Sequence, residues 1–155
     1  MTLYAIRPES VIESLESAEV TNELPEGWDF LEQAVSLWQL VDAARAKQLE
    51  AILDRVALDK GDEKPRFEAA DLCEMVRLLT GIEDALVAAG IVDNHWRAPP
   101  EHLKDLARRV PAMDLKTERP AATQTSALGE VMINAGSIRN FLLNAANDGC
   151  IVVLA

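Results

Sequence analysis

Residues 29–58 read DFLEQAVSLWQLVDAARAKQLEAILDRVAL, and their apolar positions recur about every 3.6 residues, the period of an α-helix. Neither glycine nor proline interrupts this stretch. The apolar positions are Leu31, Val35, Trp38, Val41, Leu49, Ile52 and Val56. One continuous helix would be about 45 Å long, which is long for a domain of this size. We therefore favour a break or bend near Asp42–Ala46, although the pattern leaves one helix or two open.

The two ends of the chain predict strands. Thr2–Ile6 is a short apolar segment closed by Arg7-Pro8, and Ile151–Leu154 is an uninterrupted run rich in β-branched residues. Each segment is the best partner for the other, and helices must cover the pair because two isolated strands are marginally stable. We predict one compact domain, residues 1–155, with an α+β fold that is predominantly helical. About five to six helices would pack around a small sheet formed by the N- and C-terminal strands.

The rest of the chain alternates between helical patterns and connectors. Thr21–Gly27 contains Asn, Pro and Gly and predicts a loop, and Met113–Thr125 predicts a mobile loop. The residues predicted to be helical are 8–18, 67–79, 82–89, a segment from Pro99-Pro100 to Pro111, and 127–147. The sequence contains no pattern of a signal peptide or a membrane helix, so we expect a cytoplasmic protein with free thiols at Cys73 and Cys150.

Charge is the most unusual property of the composition. The chain carries 26 acidic and 15 basic residues, for a net charge of −11. This balance argues against nucleic acids and anionic membranes as partners, because basic surfaces bind both. The first 34 residues contain eight acids and a single base, Arg7, so they carry −7 of the total. Such clustering indicates either a solvated face or a negative docking surface for a basic partner.

The candidate partner-binding residues are the acidic side chains of this N-terminal region together with one tryptophan. Trp28 is the candidate aromatic anchor, although packing into the core is the more frequent fate of a tryptophan. The full set is Glu13, Glu16, Glu19, Glu23, Glu26, Trp28, Asp29 and Glu32.

No residue pattern points to a catalytic chemistry, and we predict no catalytic residues, no metal site and no cofactor. His95 and His102 are separated by Pro99-Pro100, which prevents one helix from presenting both to a metal. The leading hypothesis is a non-enzymatic acidic protein-binding domain. It would be a cytoplasmic bacterial immunity or inhibitor protein whose partner is a basic protein surface such as a cognate toxin.

Two alternatives remain open. The first is a helical adaptor or self-associating domain, for example a homodimer that uses residues 29–58 as its interface. The second is a small-molecule-binding protein with a pocket near Trp96 and His102.

Three further segments carry a resemblance to known proteins. They are Tyr4-Ala5-Ile6 followed by Glu9-Ser10-Val11, then Gly27-Trp28-Asp29-Phe30-Leu31, and finally Phe141–Gly149 followed by the strand Ile151–Leu154. Together they cover roughly a third of the chain and resemble the YfbM-like family of small uncharacterised bacterial proteins. The resemblance implies an α+β domain whose terminal segments meet, and it implies no particular activity.

Overall fold

The computed structural model describes residues 1–10, 18–57, 65–91 and 121–155. Within these ranges a four-stranded antiparallel sheet packs against α-helices, so the fold class is α+β, as predicted. The strands are β1 (Leu3–Ile6), β2 (Val20–Leu24), β3 (Arg66–Phe67) and β4 (Ile151–Leu154). The α-helices are α1 (Gly27–Val41), α2 (Ala43–Ala57), α3 (Ala69–Leu79), α4 (Ile82–Ala88) and α5 (Ala121–Asn147), and a short 3-10 helix covers Pro8–Ser10.

The two terminal strands form the centre of the sheet, which has the order β2-β1-β4-β3. β1 and β4 run antiparallel, with Leu3 opposite Leu154 and Ile6 opposite Ile151. The pairing continues beyond the strands, because the backbone N–H groups of Thr2 and Ala155 each donate to the carbonyl oxygen of the other residue, at 3.0 and 3.1 Å. The predicted pairing of the chain ends is therefore confirmed.

The prediction of a loop over Thr21–Gly27 is wrong for Thr21–Leu24, which belong to β2 beside β1, and for Gly27, which begins α1; Pro25 and Glu26 form a turn. The pairing register shifts between Ala5 and Ile6, where Thr21 is the additional residue on the β2 side. Its hydroxyl donates to the carbonyl oxygen of Ala5 at 3.1 Å. The side chains of β2 are mostly exposed, so this strand lacks the apolar alternation by which a sequence predicts strands.

The long apolar repeat forms two helices, as favoured above. Asp42 separates them, with an extended backbone at φ −150° and ψ 87°. Its carboxylate accepts a hydrogen bond from the backbone N–H of Arg45 at 3.2 Å, so Asp42 ends α1 and caps the start of α2. The chain direction changes here, and α2 packs back against α1.

Two further predictions differ from the structure. Phe67 belongs to β3, and α3 begins at Ala69, where the backbone N–H of Glu68 donates to the Asp71 carboxylate at 3.0 Å. The predicted mobile loop is wrong for residues 121–125, which are helical. Residues 113–120, most of the predicted helix 8–18 and the helix predicted from Pro99-Pro100 lie outside the described residues. The number of helices in the whole chain therefore stays a prediction.

The main core lies between the helices and one face of the sheet. Leu3 and Ala5 from β1 and Val152 and Leu154 from β4 belong to it, because residues two apart in a strand share a face. Helix α5 packs against both α1 and α3, and the Asn134 amide donates to Gln33 of α1 at 3.1 Å. None of the described helices has the length and apolar character needed to cross a lipid bilayer.

Candidate functional site

Five described acidic residues of the N-terminal region lie between the residue that precedes β2 and the second turn of α1. We call this region the acidic surface, defined by Glu19, Glu23, Glu26, Asp29 and Glu32, all of which are exposed. Glu13 and Glu16 lie outside the described residues. Five of the seven predicted acids are therefore described, and they border β2, which pairs with β1, and the start of α1 three residues after β2.

Two members of the acidic surface form ion pairs. A carboxylate oxygen of Glu19 lies 3.7 Å from Nε of Arg7, and one of Asp29 lies 3.8 Å from the amino group of Met1. Within the part of the chain that the structure describes, Glu23, Glu26 and Glu32 form no ion pair. These three carboxylates therefore add negative charge that no described cation neutralises.

The turn before α1 has an unusual backbone. Glu26 adopts the left-handed conformation at φ +57°, which costs a residue with a Cβ atom about 1 kcal/mol or more. The next residue, Gly27, lies against β1, because a Cβ atom built there would come within 2.8 Å of the Leu3 side chain. A glycine at 27 is thus required for close packing, and this packing fixes where α1 starts beside the sheet.

Trp28 does not protrude as an anchor but is buried, with 8% of its surface exposed. Its ring stacks on Phe67 of β3, with centroids 6.4 Å apart and an interplanar angle of 16°. Its indole Nε1–H donates to Oε1 of Glu32 at 2.9 Å. Trp28 therefore connects the core to one carboxylate of the acidic surface.

A groove between α1 and α2, with a volume of about 450 Å³, adjoins this tryptophan. We call it the α1–α2 groove. Its buried lining consists of Trp28, Val35 and Ser36 of α1 and Leu53 of α2, and its exposed lining consists of Glu32 and Gln39 of α1 and Glu50 and Asp54 of α2. The Ser36 hydroxyl is already satisfied by the carbonyl oxygen of Glu32 at 3.0 Å. The groove thus has a mainly apolar floor and three carboxylates at its edge.

Sequence reasoning identified Trp28 and Glu32 but missed Glu50 and Asp54. The two missed acids lie outside the acidic first 34 residues, and the break at Asp42 brings their helix back against α1. One signal was present, since like charges four residues apart share a helix face and repel each other. The pair alone does not show that this face of α2 lies beside α1, because that follows only from the change of chain direction at Asp42.

The arrangement of potential metal ligands and the state of the thiols bear on the remaining candidate chemistry. Among them, no group of three or more His, Cys, Asp or Glu side chains is arranged to hold a metal ion. Cys73 is exposed and Cys150 is buried, and both are free thiols. The pocket predicted near Trp96 and His102, with neighbouring His95, lies outside the described residues.

No protein-family model, no curated protein and no solved structure matches this chain. The resemblance to the YfbM-like family therefore stays a prediction, neither supported nor contradicted. The described part of the chain is thus an α+β protein with an acidic surface that borders β2 and α1 and a partly apolar groove between α1 and α2.

Proposed function

We propose that this chain is a non-enzymatic, acidic protein-binding domain, a cytoplasmic bacterial immunity or inhibitor protein that neutralises a basic toxin or effector. The observation that carries the proposal is the concentration of unpaired carboxylates on the acidic surface, where Glu23, Glu26 and Glu32 have no described cation beside them. Clustered like charge opposes folding through self-repulsion, so a basic partner that relieves it gains binding free energy.

The same charge favours rapid association. A surface with one sign of charge attracts an oppositely charged partner over roughly a Debye length, about 8 Å at physiological salt. Rapid capture suits an inhibitor that must bind its target before the target acts. The two free thiols support a reducing compartment, where cysteines persist without forming disulfides.

The product of the adjacent gene is the first candidate partner, and co-purification tests it. The wild-type chain should co-purify with that product, and the charge-reversed variant Glu23→Lys/Glu26→Lys should not. The matched control Asp84→Lys/Glu130→Lys makes the same change in net charge at exposed positions of α4 and α5 and should still bind. A chain that stays alone beside the adjacent product at micromolar concentration contradicts the proposal. Equal loss in both variants shows that net charge alone matters and contradicts the assigned surface.

A further inference from the structure

The α1–α2 groove combines two features that bind one kind of side chain. Its floor contains Trp28, Val35 and Leu53, each less than a tenth exposed. Its edge carries Glu32, Glu50 and Asp54, and none of these forms an ion pair within the described part of the chain. A ligand that fits must therefore be apolar along its length and positively charged at its end.

Arginine has this character. Its methylene stem packs on apolar surface, and its planar guanidinium stacks on aromatic rings and donates paired hydrogen bonds to carboxylates. We propose that the α1–α2 groove receives an arginine-bearing basic segment of the partner protein, with the stem on the floor and the guanidinium among the three carboxylates. This inference rests on the proposed function, because it names the part of the basic partner that this chain recognises.

The groove is prepared for such a ligand before it binds. The indole N–H of Trp28 holds Oε1 of Glu32 at 2.9 Å, so this carboxylate is oriented while its other oxygen remains available. Glu50 and Asp54 are four residues apart on α2, and a cation placed near both relieves their mutual repulsion.

Charge also decides between a foreign partner and a second copy of the chain. A second copy carries a net charge of −11, so it would approach an acidic groove against repulsion. The volume of about 450 Å³ is large enough for a side chain and its neighbours. A segment of a basic protein has the required positive charge and is large enough to occupy this volume.

The test uses a fluorescein-labelled synthetic peptide of arginine, leucine and alanine arranged in a helical repeat, and measures binding by fluorescence anisotropy. A second peptide has glutamine in place of each arginine. The groove variant is Glu32→Gln/Glu50→Gln/Asp54→Asn. The matched control, Asp84→Asn/Glu130→Gln/Asp148→Asn, removes the same charge at exposed positions outside the groove and the acidic surface. Thermal melting checks that each variant folds. If the groove variant does not fold, Glu50→Gln/Asp54→Asn replaces it, because this double variant keeps the hydrogen bond between Trp28 and Glu32.

We expect the arginine peptide to bind wild type, with Kd about tenfold weaker for the groove variant and at most about threefold weaker for the control. The glutamine peptide should not bind. The arginine peptide should also shift the Trp28 indole N–H resonance, which a Trp28→Phe spectrum assigns. A peptide that fails to bind, or that both triple variants weaken equally, overturns the inference.

The adjacent gene product separates the two proposals. If that product binds the groove variant as tightly as wild type but fails to bind Glu23→Lys/Glu26→Lys, the groove inference is overturned and the proposed function stands. If the arginine peptide occupies the groove while no basic protein binds, the proposed function fails and the recognition of arginine by the groove stands.

Discussion

In one acidic region of this protein the carboxylates form ion pairs with arginines, and in another they form none among the described residues. Around β3 and α3, each of three carboxylates has an arginine partner, and the pairs are Arg66–Glu68, Arg55–Asp71 and Arg77–Glu74. On the acidic surface and in the α1–α2 groove, five carboxylates have no ion pair among the described residues, and they are Glu23, Glu26, Glu32, Glu50 and Asp54.

The paired carboxylates contribute to contacts within the fold, whereas the unpaired carboxylates are free to bind an external cation. In the α3 region, Arg77 donates two hydrogen bonds to the Glu74 carboxylate, at 2.6 and 2.9 Å, and lowers the pKa of that carboxyl. Exposed pairs of this kind contribute little to stability, because solvent screens the two charges. The carboxylates that line the groove are exposed and have no described ion-pair partner, so an external cation has more to gain there.

The largest expected effect comes from removing the side chain that joins the groove to the core. Trp28→Ala removes the stacking on Phe67 and the hydrogen bond to Glu32, and should lower the free energy of unfolding by about 3–5 kcal/mol. Glu32→Gln keeps an oxygen that can accept the indole hydrogen bond and should cost less than about 1 kcal/mol. Urea denaturation measures both values. Similar losses for the two variants would mean that the Glu32 carboxylate, rather than the packing of Trp28, stabilises this region.

A smaller effect is expected at the turn that leads into α1. Glu26→Gly and Glu26→Ala remove the same charge, but only glycine adopts a φ of +57° without steric cost. The glycine variant should be more stable than the alanine variant by about 1 kcal/mol. Denaturation of the two variants in parallel measures this difference, which excludes the contribution of charge. Equal stabilities would show that Glu26 carries no backbone strain.

The sequence predicted the parts of the fold that have continuous apolar signals. The terminal strands and the break near Asp42 followed from a buried apolar run and from a repeat too long for one helix. β2 could not be predicted, because its exposed side chains lack alternation and only its hydrogen bonds to β1 define it. The groove could not be predicted, because it forms only where α2 packs on α1. Glu32 was identified from the local density of acidic residues, whereas Glu50 and Asp54 were not.

Paired and unpaired carboxylates can be compared directly with matched double variants. Glu68→Gln/Glu74→Gln removes two ion pairs and should lower the free energy of unfolding slightly, because solvent screens exposed pairs. Glu23→Gln/Glu26→Gln removes two unpaired charges and should raise it by a few tenths of a kcal/mol, roughly, at low salt. Thermal melts at low and high salt test both signs, because salt screens exposed charges and both effects should shrink. A loss of stability in both variants would mean that the unpaired charges also support the fold.

The pKa of Glu74 gives the smallest and most local measure of the paired region. It lies below the ordinary value of 4.5, chiefly because Arg77 donates side-chain hydrogen bonds to the charged carboxylate. A carboxyl whose pKa is lower in the folded state contributes stability above its unfolded pKa, and this contribution is lost as the pH falls through the folded pKa.

Arg77→Met should therefore raise the pKa of Glu74 toward 4.5 and remove this part of the acid dependence of stability. Carbon-13 NMR titration of the Glu74 carboxyl group measures the change. Arg55→Met is the matched control, because Arg55 pairs with Asp71 and should leave the titration of Glu74 unchanged. If both variants shift the pKa of Glu74 equally, the α3 carboxylates respond to the summed positive charge rather than to individual partners. The contrast between paired and unpaired acids would then be one of local charge density rather than of specific contacts.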